Sequence, residues 1–261
     1  MSSAAAVRLH IESALAHKVP SALTPAVRTI RPVASTGIET LDEVLQGGFP
    51  IGAITELVGP ECSGRTSAAL SFLARLMHSA KVCAWIDVSD TLHPESAAAA
   101  GVDLSCLLWV RCGAPSTKPK PPSTKPWSRL EQALRVTDLL LQTGGFGAIV
   151  LDMASIPPEF ASRVPLATWF RYRAAAERTQ TSVLLLSQYA CAKSSAELAL
   201  RLNLEDALHN ETTVFTGVAY HIEVLRDRFK LHAGNVIPLR KPPQSAHTAT
   251  WHSHSAWSGQ R

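Results

Sequence analysis

The stretch Ala53-Ile54-Thr55-Glu56-Leu57-Val58, followed by Gly59-Pro60-Glu61-Cys62-Ser63-Gly64-Arg65-Thr66, decides the fold. The first part is an apolar run that reads as a buried strand. The second is a glycine-bounded loop, and the alanine- and leucine-rich run Ser67 to Ala80 behind it reads as a helix. Strand, glycine loop and helix in that order are the context of a phosphate-binding loop, or P-loop. Gly59 and Gly64 let the backbone turn sharply and approach an anion closely. Successive N–H groups then face one hollow, and the helix N-terminus adds its partial positive charge. Thr66 stands where a hydroxyl would bind the magnesium ion of a nucleotide. Arg65 stands where the motif has lysine. It keeps the charge but is a wide planar fork rather than a compact ammonium. Phosphate binding is expected to survive this change, and hydrolysis to suffer.

Further apolar runs follow. Val82 to Asp87, Leu107 to Arg111, Ala148 to Asp152 and Ser182 to Ser187 read as strands, and Gln188 directly follows the last of them. Pro94 to Ala100, Arg129 to Thr143 and Leu166 to Thr179 read as helices. Thr212 to Thr216 and Tyr220 to Leu225 read as a terminal strand pair. Strands alternating with helices imply an α/β fold with a mostly parallel sheet flanked by helices. Ligands of such sheets sit at the carboxyl ends of the strands, which brings together the P-loop, Asp87, Asp152 and Gln188. Asp152 ends its strand as a magnesium-holding acid would. Upstream, Ser35 or Thr36 is placed to cap a short helix, with Glu39 as its capping-box partner.

Three domain segments emerge: 1–34, a short helical arm (residues 5–17) and a proline-bearing linker; 35–228, the core; and 229–261, a basic tail expected to be disordered at least from Pro242. Residues 113–126 carry five prolines and a repeated Ser-Thr-Lys-Pro and read as a surface loop. The chain has 261 residues and a net charge of +4. The arm, the loop and the tail carry the excess of bases, and the remainder is mildly acidic. Basic arms can hold nucleic acid, or they can be solvated tails. In the tail, Arg240, Lys241, Trp251 and Trp257 suit single-stranded nucleic acid, a docking peptide or inert disorder. The five cysteines lack metal spacing and read as reduced thiols of a cytoplasmic protein. No apolar run approaches the roughly 20 residues of a membrane span, and no signal-peptide pattern is expected at the N-terminus.

The string "STGIETLDEVLQGGFPIGAITELVGPECSGRT" is similar to the core of the RecA superfamily, and "CAWIDVSDTLHPESAAAAGVDLSCLL", "AIVLDM" and "VLLLSQ" continue the resemblance. Within it, "LLWVR" followed by "PWSRLEQALR" looks most like ImuA, the RecA-like accessory proteins of bacterial damage-induced mutagenesis. The resemblance implies an ATP- and magnesium-binding core, with Gly59, Pro60, Glu61, Cys62, Ser63, Gly64, Arg65 and Thr66 on the phosphates and Thr66 and Asp152 on the metal. It makes Gln188 a γ-phosphate sensor. It aligns Arg226 and Arg228 with paired lysines that reach a neighbouring subunit's nucleotide; a solvated edge strand is the other reading. The implied partners are a polymerase-like mutagenesis protein and a translesion polymerase, acting in DNA repair and the SOS response, with single-stranded DNA and a homo-oligomer as further expectations.

Four departures from the family pattern weaken four functions. Ser89 replaces the expected catalytic glutamate, and serine cannot serve as a carboxylate base. Asp90 is adjacent but expected to point elsewhere. Ser96 replaces the tyrosine that stacks on adenine, Arg65 replaces the lysine, and "YACAKSS" after Gln188 lacks the glycine-rich DNA loop. The expectation is an ATP-binding accessory factor with weak or absent hydrolysis. The alternatives are a DNA-dependent ATPase on single-stranded DNA and a nucleotide-free regulatory scaffold.

Overall fold

The computed structural model describes residues 6, 7, 10, 31–112, 126–210, 213–228 and 248–254. The chain divides into units 1–30 and 31–261. In the first, residues 6, 7 and 10 are helical. The surface loop at 113–126 lies outside the described residues except for Pro126, which opens a helix.

The second unit begins with β1 (Val33–Ala34), α1 (Glu39–Leu45) and β2 (Phe49–Pro50), the two strands pairing antiparallel. Then come β3 (Ile54–Val58), α2 (Arg65–Met77), β4 (Cys83–Asp87), α3 (Pro94–Ala99) and β5 (Leu107–Arg111). They are followed by α4 (Pro126–Thr143), β6 (Ala148–Asp152), α5 (Pro158–Ala161), α6 (Leu166–Thr179) and β7 (Ser182–Ser187). β8 (Leu198–Asn210), β9 (Thr213–Asp227) and β10 (Thr248–His254) complete the described elements. Among the described residues the main sheet runs β10-β9-β8-β3-β7-β6-β4-β5. From β8 to β5 the neighbours are parallel, and β9 and β10 are added antiparallel.

Every residue of β3, β4, β6 and β7 is buried, as suits parallel strands covered on both faces. The side chains alternate between two cores. Leu57, Trp85, Val150, Leu184, Leu202 and Ile222 face one core with α1 and α2, where Phe72 packs on Phe49. Ile54, Ile86, Leu151 and Leu185 face the other with α4 and α6. There Trp169 and Tyr172 meet edge to face, and the Tyr172 hydroxyl donates to the Leu134 carbonyl, tying α6 to α4. The register sets Val58 opposite Ser187 and Asp87 opposite Asp152, so the carboxyl ends of these strands share one edge.

Three expectations are corrected. The capping box before α1 does not form, because no side chain caps that helix. Instead Asp42, inside it, reaches back and accepts from the Ser35 hydroxyl (2.6 Å), the Thr36 amide (2.8 Å) and the Thr36 hydroxyl (2.7 Å). The terminal strand pair is one strand, β9, and its partner is β8. The alternation of Leu198, Leu200, Leu202 and Leu204 with other residues was the period-2 signal for β8. In the tail, residues 248–254 form β10 along β9, so the stretch expected to be disordered contains a strand.

Asp42→Ala removes three acceptor contacts to a charged group. It should lower stability by about 2 kcal/mol, read from urea unfolding, while Glu39→Ala should change it by less than about 0.5 kcal/mol.

Candidate functional site

The P-loop leaves β3 and passes over β8. The Gly59 amide donates to the Ser187 carbonyl (3.2 Å). A Cβ on Gly59 would lie 2.2 Å from the Leu202 carbonyl oxygen, so only glycine fits there. Cys62 (φ 59) and Gly64 (φ 86) are left-handed, and Gly64 starts α2 with no side-chain cap and no acid in the first turn. Backbone that alternates hand in this way turns consecutive amides toward one side, and an uncapped helix start leaves its own amides open. The hollow is a cavity of about 140 Å³, lined by Cys62 to Ser67 and by Tyr220 from β9. A second cavity, about 450 Å³, is lined by Pro60, Glu61, Gln188 and Tyr189.

Two polar atoms of the loop are buried without a hydrogen-bond partner, Ser63 Oγ and Arg65 Nη1. Arg65 is 5% exposed, and burial presses its guanidinium below the ordinary range, opposed by the charges of Asp152 and Glu61. Asp152 is itself buried. Desolvation pushes its carboxyl up to about 6, opposed by the Ala154 amide at 3.0 Å, reinforced by Asp87 and opposed again by Arg65. A carboxylate held between neutral and charged forms beside an anion hollow suits a place where a cation would arrive.

The other predicted residues divide. Gln188 reaches the same corner, its side-chain amide donating to the Ala154 carbonyl (2.9 Å), so it is joined to the loop after Asp152. Asp87 lies beside Asp152 but is committed elsewhere. It accepts from the amides of Ser89 (3.3 Å), Thr91 (3.0 Å) and Leu92 (2.8 Å) and from the Trp109 indole (3.4 Å). Its carboxylate therefore holds the loop after β4. Asp90, at φ 61, turns away to a two-point pair with Arg111 (2.6 and 2.7 Å), whose guanidinium also covers the Trp109 ring. Ser96 is engaged with His93, its amide at 3.2 Å and its hydroxyl at 3.0 Å from Nδ1. Arg226 pairs in register with Ala199 and donates to the Lys193 carbonyl. The Arg228 amide donates to the Glu197 carbonyl (3.1 Å). Tyr220 lies further along β9, opposite Leu204, and it is Tyr220 that meets the P-loop. Arg226 and Arg228 are thus not among the residues lining the hollow of their own chain.

Tyr220 is the residue that sequence reasoning missed. No motif marks it; its place at the hollow follows from the pairing of β9 with β8.

The family model of the RecA N-terminal domain matches residues 21–161, a segment that contains the P-loop and Asp152. The chain belongs to the RecA family. A crystal structure of the RadB recombinase is similar to this RecA-family chain at 22% identity and a TM-score of 0.53, covering 76% of this chain and 92% of that one. At that identity the likeness is one of fold, and it agrees with the expected mostly parallel sheet flanked by helices. Among the described residues no helix is long and apolar enough to cross a membrane.

The raised pKa of Asp152 has a consequence for stability. The folded chain holds this proton between its ordinary value of 3.8 and about 6, where the unfolded chain has released it, so stability contributed by the protonated form is lost as pH rises through that window. Asp152→Asn should therefore raise the melting temperature at pH 8, by about 1–3 kcal/mol of stability, and the gain should shrink toward pH 5. Melting curves at both pH values check it.

Proposed function

We propose that this RecA-family chain binds ATP with magnesium in the P-loop and acts as an ImuA-type accessory factor in DNA damage tolerance, with weak or absent hydrolysis. The observation that carries the nucleotide reading is the pair of buried, unpartnered atoms in the cradle, Ser63 Oγ and Arg65 Nη1. Leaving such atoms unpaired costs about 1–3 kcal/mol each, which phosphate oxygens would offset. ATP would supply those oxygens and, with magnesium, a divalent cation. Thr66 and Asp152 would hold the metal from the protein side. Among the described residues no three His, Cys, Asp or Glu side chains converge on a metal site, which fits an ion completed by phosphates and water. Arg65 would contribute positive charge to the phosphates from the floor of the loop. Gln188, joined to the Asp152 loop through Ala154, would transmit a change there toward Tyr189 on the surface.

Weak hydrolysis follows from the groups after β4. A general base must come within hydrogen-bond reach of the attacking water. Ser89 has no carboxylate, Asp90 is held by Arg111, and Asp87 is filled by amides. The ImuA-type reading is supported by "LLWVR", which forms β5, and by "PWSRLEQALR", which opens α4. On this reading the partners are a polymerase-like mutagenesis protein and, through it, a translesion polymerase. Arg226 and Arg228 would serve a neighbouring copy's nucleotide, and single-stranded DNA would meet the chain directly or through those partners.

Thermal melting tests the nucleotide reading. Magnesium with ATP at 100 times its dissociation constant should add about 2.7 kcal/mol of stability, and Thr66→Ala should abolish the shift. No shift at millimolar nucleotide would sink the reading. Binding should also weaken as pH falls through about 6, where Asp152 takes up its proton. Turnover should stay near background with or without single-stranded DNA; a rate typical of an enzyme, about 1 per second or more and lost in Asp152→Ala, would overturn the claim of weak hydrolysis.

A further inference from the structure

Tyr220 sits where no motif would place a functional residue. Among the described residues, apart from the loop and the first turn of α2, it alone lines the hollow. Its ring lies directly on the loop: a Cβ added at Gly64 would come within 2.9 Å of two ring carbons and 3.0 Å of a third. Its phenol oxygen shares a hydrogen bond with the side chain of Ser67, and the residue is 7% exposed. The backbone there is held on both sides, with Leu204 of β8 and Trp251 of β10 as register partners. A bulge between Leu204 and Asp206 faces this point. Bulges re-aim side chains and are frequent beside active sites.

Among the described residues no other aromatic side chain lines the hollow. The resemblance puts Ser96 in place of a base-stacking tyrosine, and its amide and hydroxyl are engaged with His93. A nucleotide whose phosphates lie in the loop would meet the rest of the hollow's lining, and among the described residues Tyr220 is the aromatic side chain there, touching the first turn of α2 at Ser67.

We propose that Tyr220 is a ligand-contacting residue of the nucleotide site, its ring taking the nucleoside end of a nucleotide whose phosphates the P-loop holds. The inference rests on the nucleotide reading above. It assigns nucleoside recognition to the antiparallel extension of the sheet rather than to the segment after β4. It also makes β10 a support of the site, because the strand pairs with β9 at Tyr220.

The test compares two probes on the full chain by titration calorimetry with magnesium: ADP, which has a nucleoside, and inorganic tripolyphosphate, which has none. Tyr220→Ala should weaken ADP about tenfold and leave tripolyphosphate within about twofold, since aromatic contact with a base carries that order of affinity. Tyr220→Phe keeps the ring and should bind ADP as the wild type does. Tyr220→Leu fills the space without a ring; should the alanine variant not fold, it must show the same split. Equal weakening of both probes would mean that the ring merely props the loop, and tighter binding of both would mean that it plugs the hollow. Either result overturns the proposal, as does unchanged ADP affinity, and each leaves the nucleotide reading standing. A wild-type chain that binds neither probe overturns the nucleotide reading and this inference with it.

Discussion

The P-loop lies against two strands that follow it by well over a hundred residues, and the rest of the site depends on that close approach. At Gly59 the loop comes so near the Leu202 carbonyl of β8 that a Cβ cannot enter, and at Gly64 it meets the Tyr220 ring of β9. The left-handed turns at Cys62 and Gly64 and the uncapped start of α2 are therefore pressed into shape from below by the sheet. A phosphate hollow needs amides already aimed at the anion, because ordering them on binding would consume affinity. Here β8, parallel to β3, and β9, antiparallel to β8, supply that order. Through Tyr220, β9 lines the hollow.

The buried charges separate into those that hold the fold and those left open. Glu56 accepts the Cys191 and Ala192 amides (2.6 and 3.1 Å) and pins the segment after Gln188. Glu197 meets Arg31 (3.4 Å) and Arg173 (3.0 Å), fastening the start of the unit and α6 to β8. Asp87 is surrounded by three amides and an indole. Buried charges in proteins are normally satisfied in this way. Arg65 departs from the rule, and Asp152, which accepts the Ala154 amide, does so in part. The carboxyl of Asp152 is pushed up by burial, and one nitrogen of Arg65 has no partner. Arg65 lines the hollow and Asp152 interacts with it electrostatically, so the cost of the open guanidinium nitrogen and of the buried carboxyl falls where a charged ligand would offset it. The same comparison accounts for the carboxylates after β4. The segment after β4 has carboxylates, but its own turn and Arg111 use them.

Most of the core was legible in the sequence. Short apolar runs ending in a loop or carboxylate became β3, β4, β6 and β7, and the P-loop followed β3 as its glycines require. These features were legible because they are local: a buried parallel strand needs a continuous apolar run, and a phosphate loop needs its glycines at fixed spacing. The misreadings had physical causes too. The capping box before α1 and the Asp42 contacts compete for the same few residues, and only the path of the chain decides between them. β8 was overlooked although its leucines alternate, because its charged and polar residues sit where a parallel strand would be apolar. Its partner on one side is antiparallel, and Arg201 and Glu223 pair across the two strands (3.0 Å).

The sequence by itself determined the α/β class, the order of the central elements and the P-loop with its arginine. Only the tertiary structure decided that Asp87 serves its own loop, that Asp90 belongs to Arg111, that part of the tail returns as β10, and that Tyr220 forms a wall of the hollow. The first group depends on neighbours within a turn or a strand. The second depends on which strands pair and in what register, and a shift of one residue would turn Tyr220 to the opposite face. That information is carried by contacts between distant segments, which no single stretch of the chain contains.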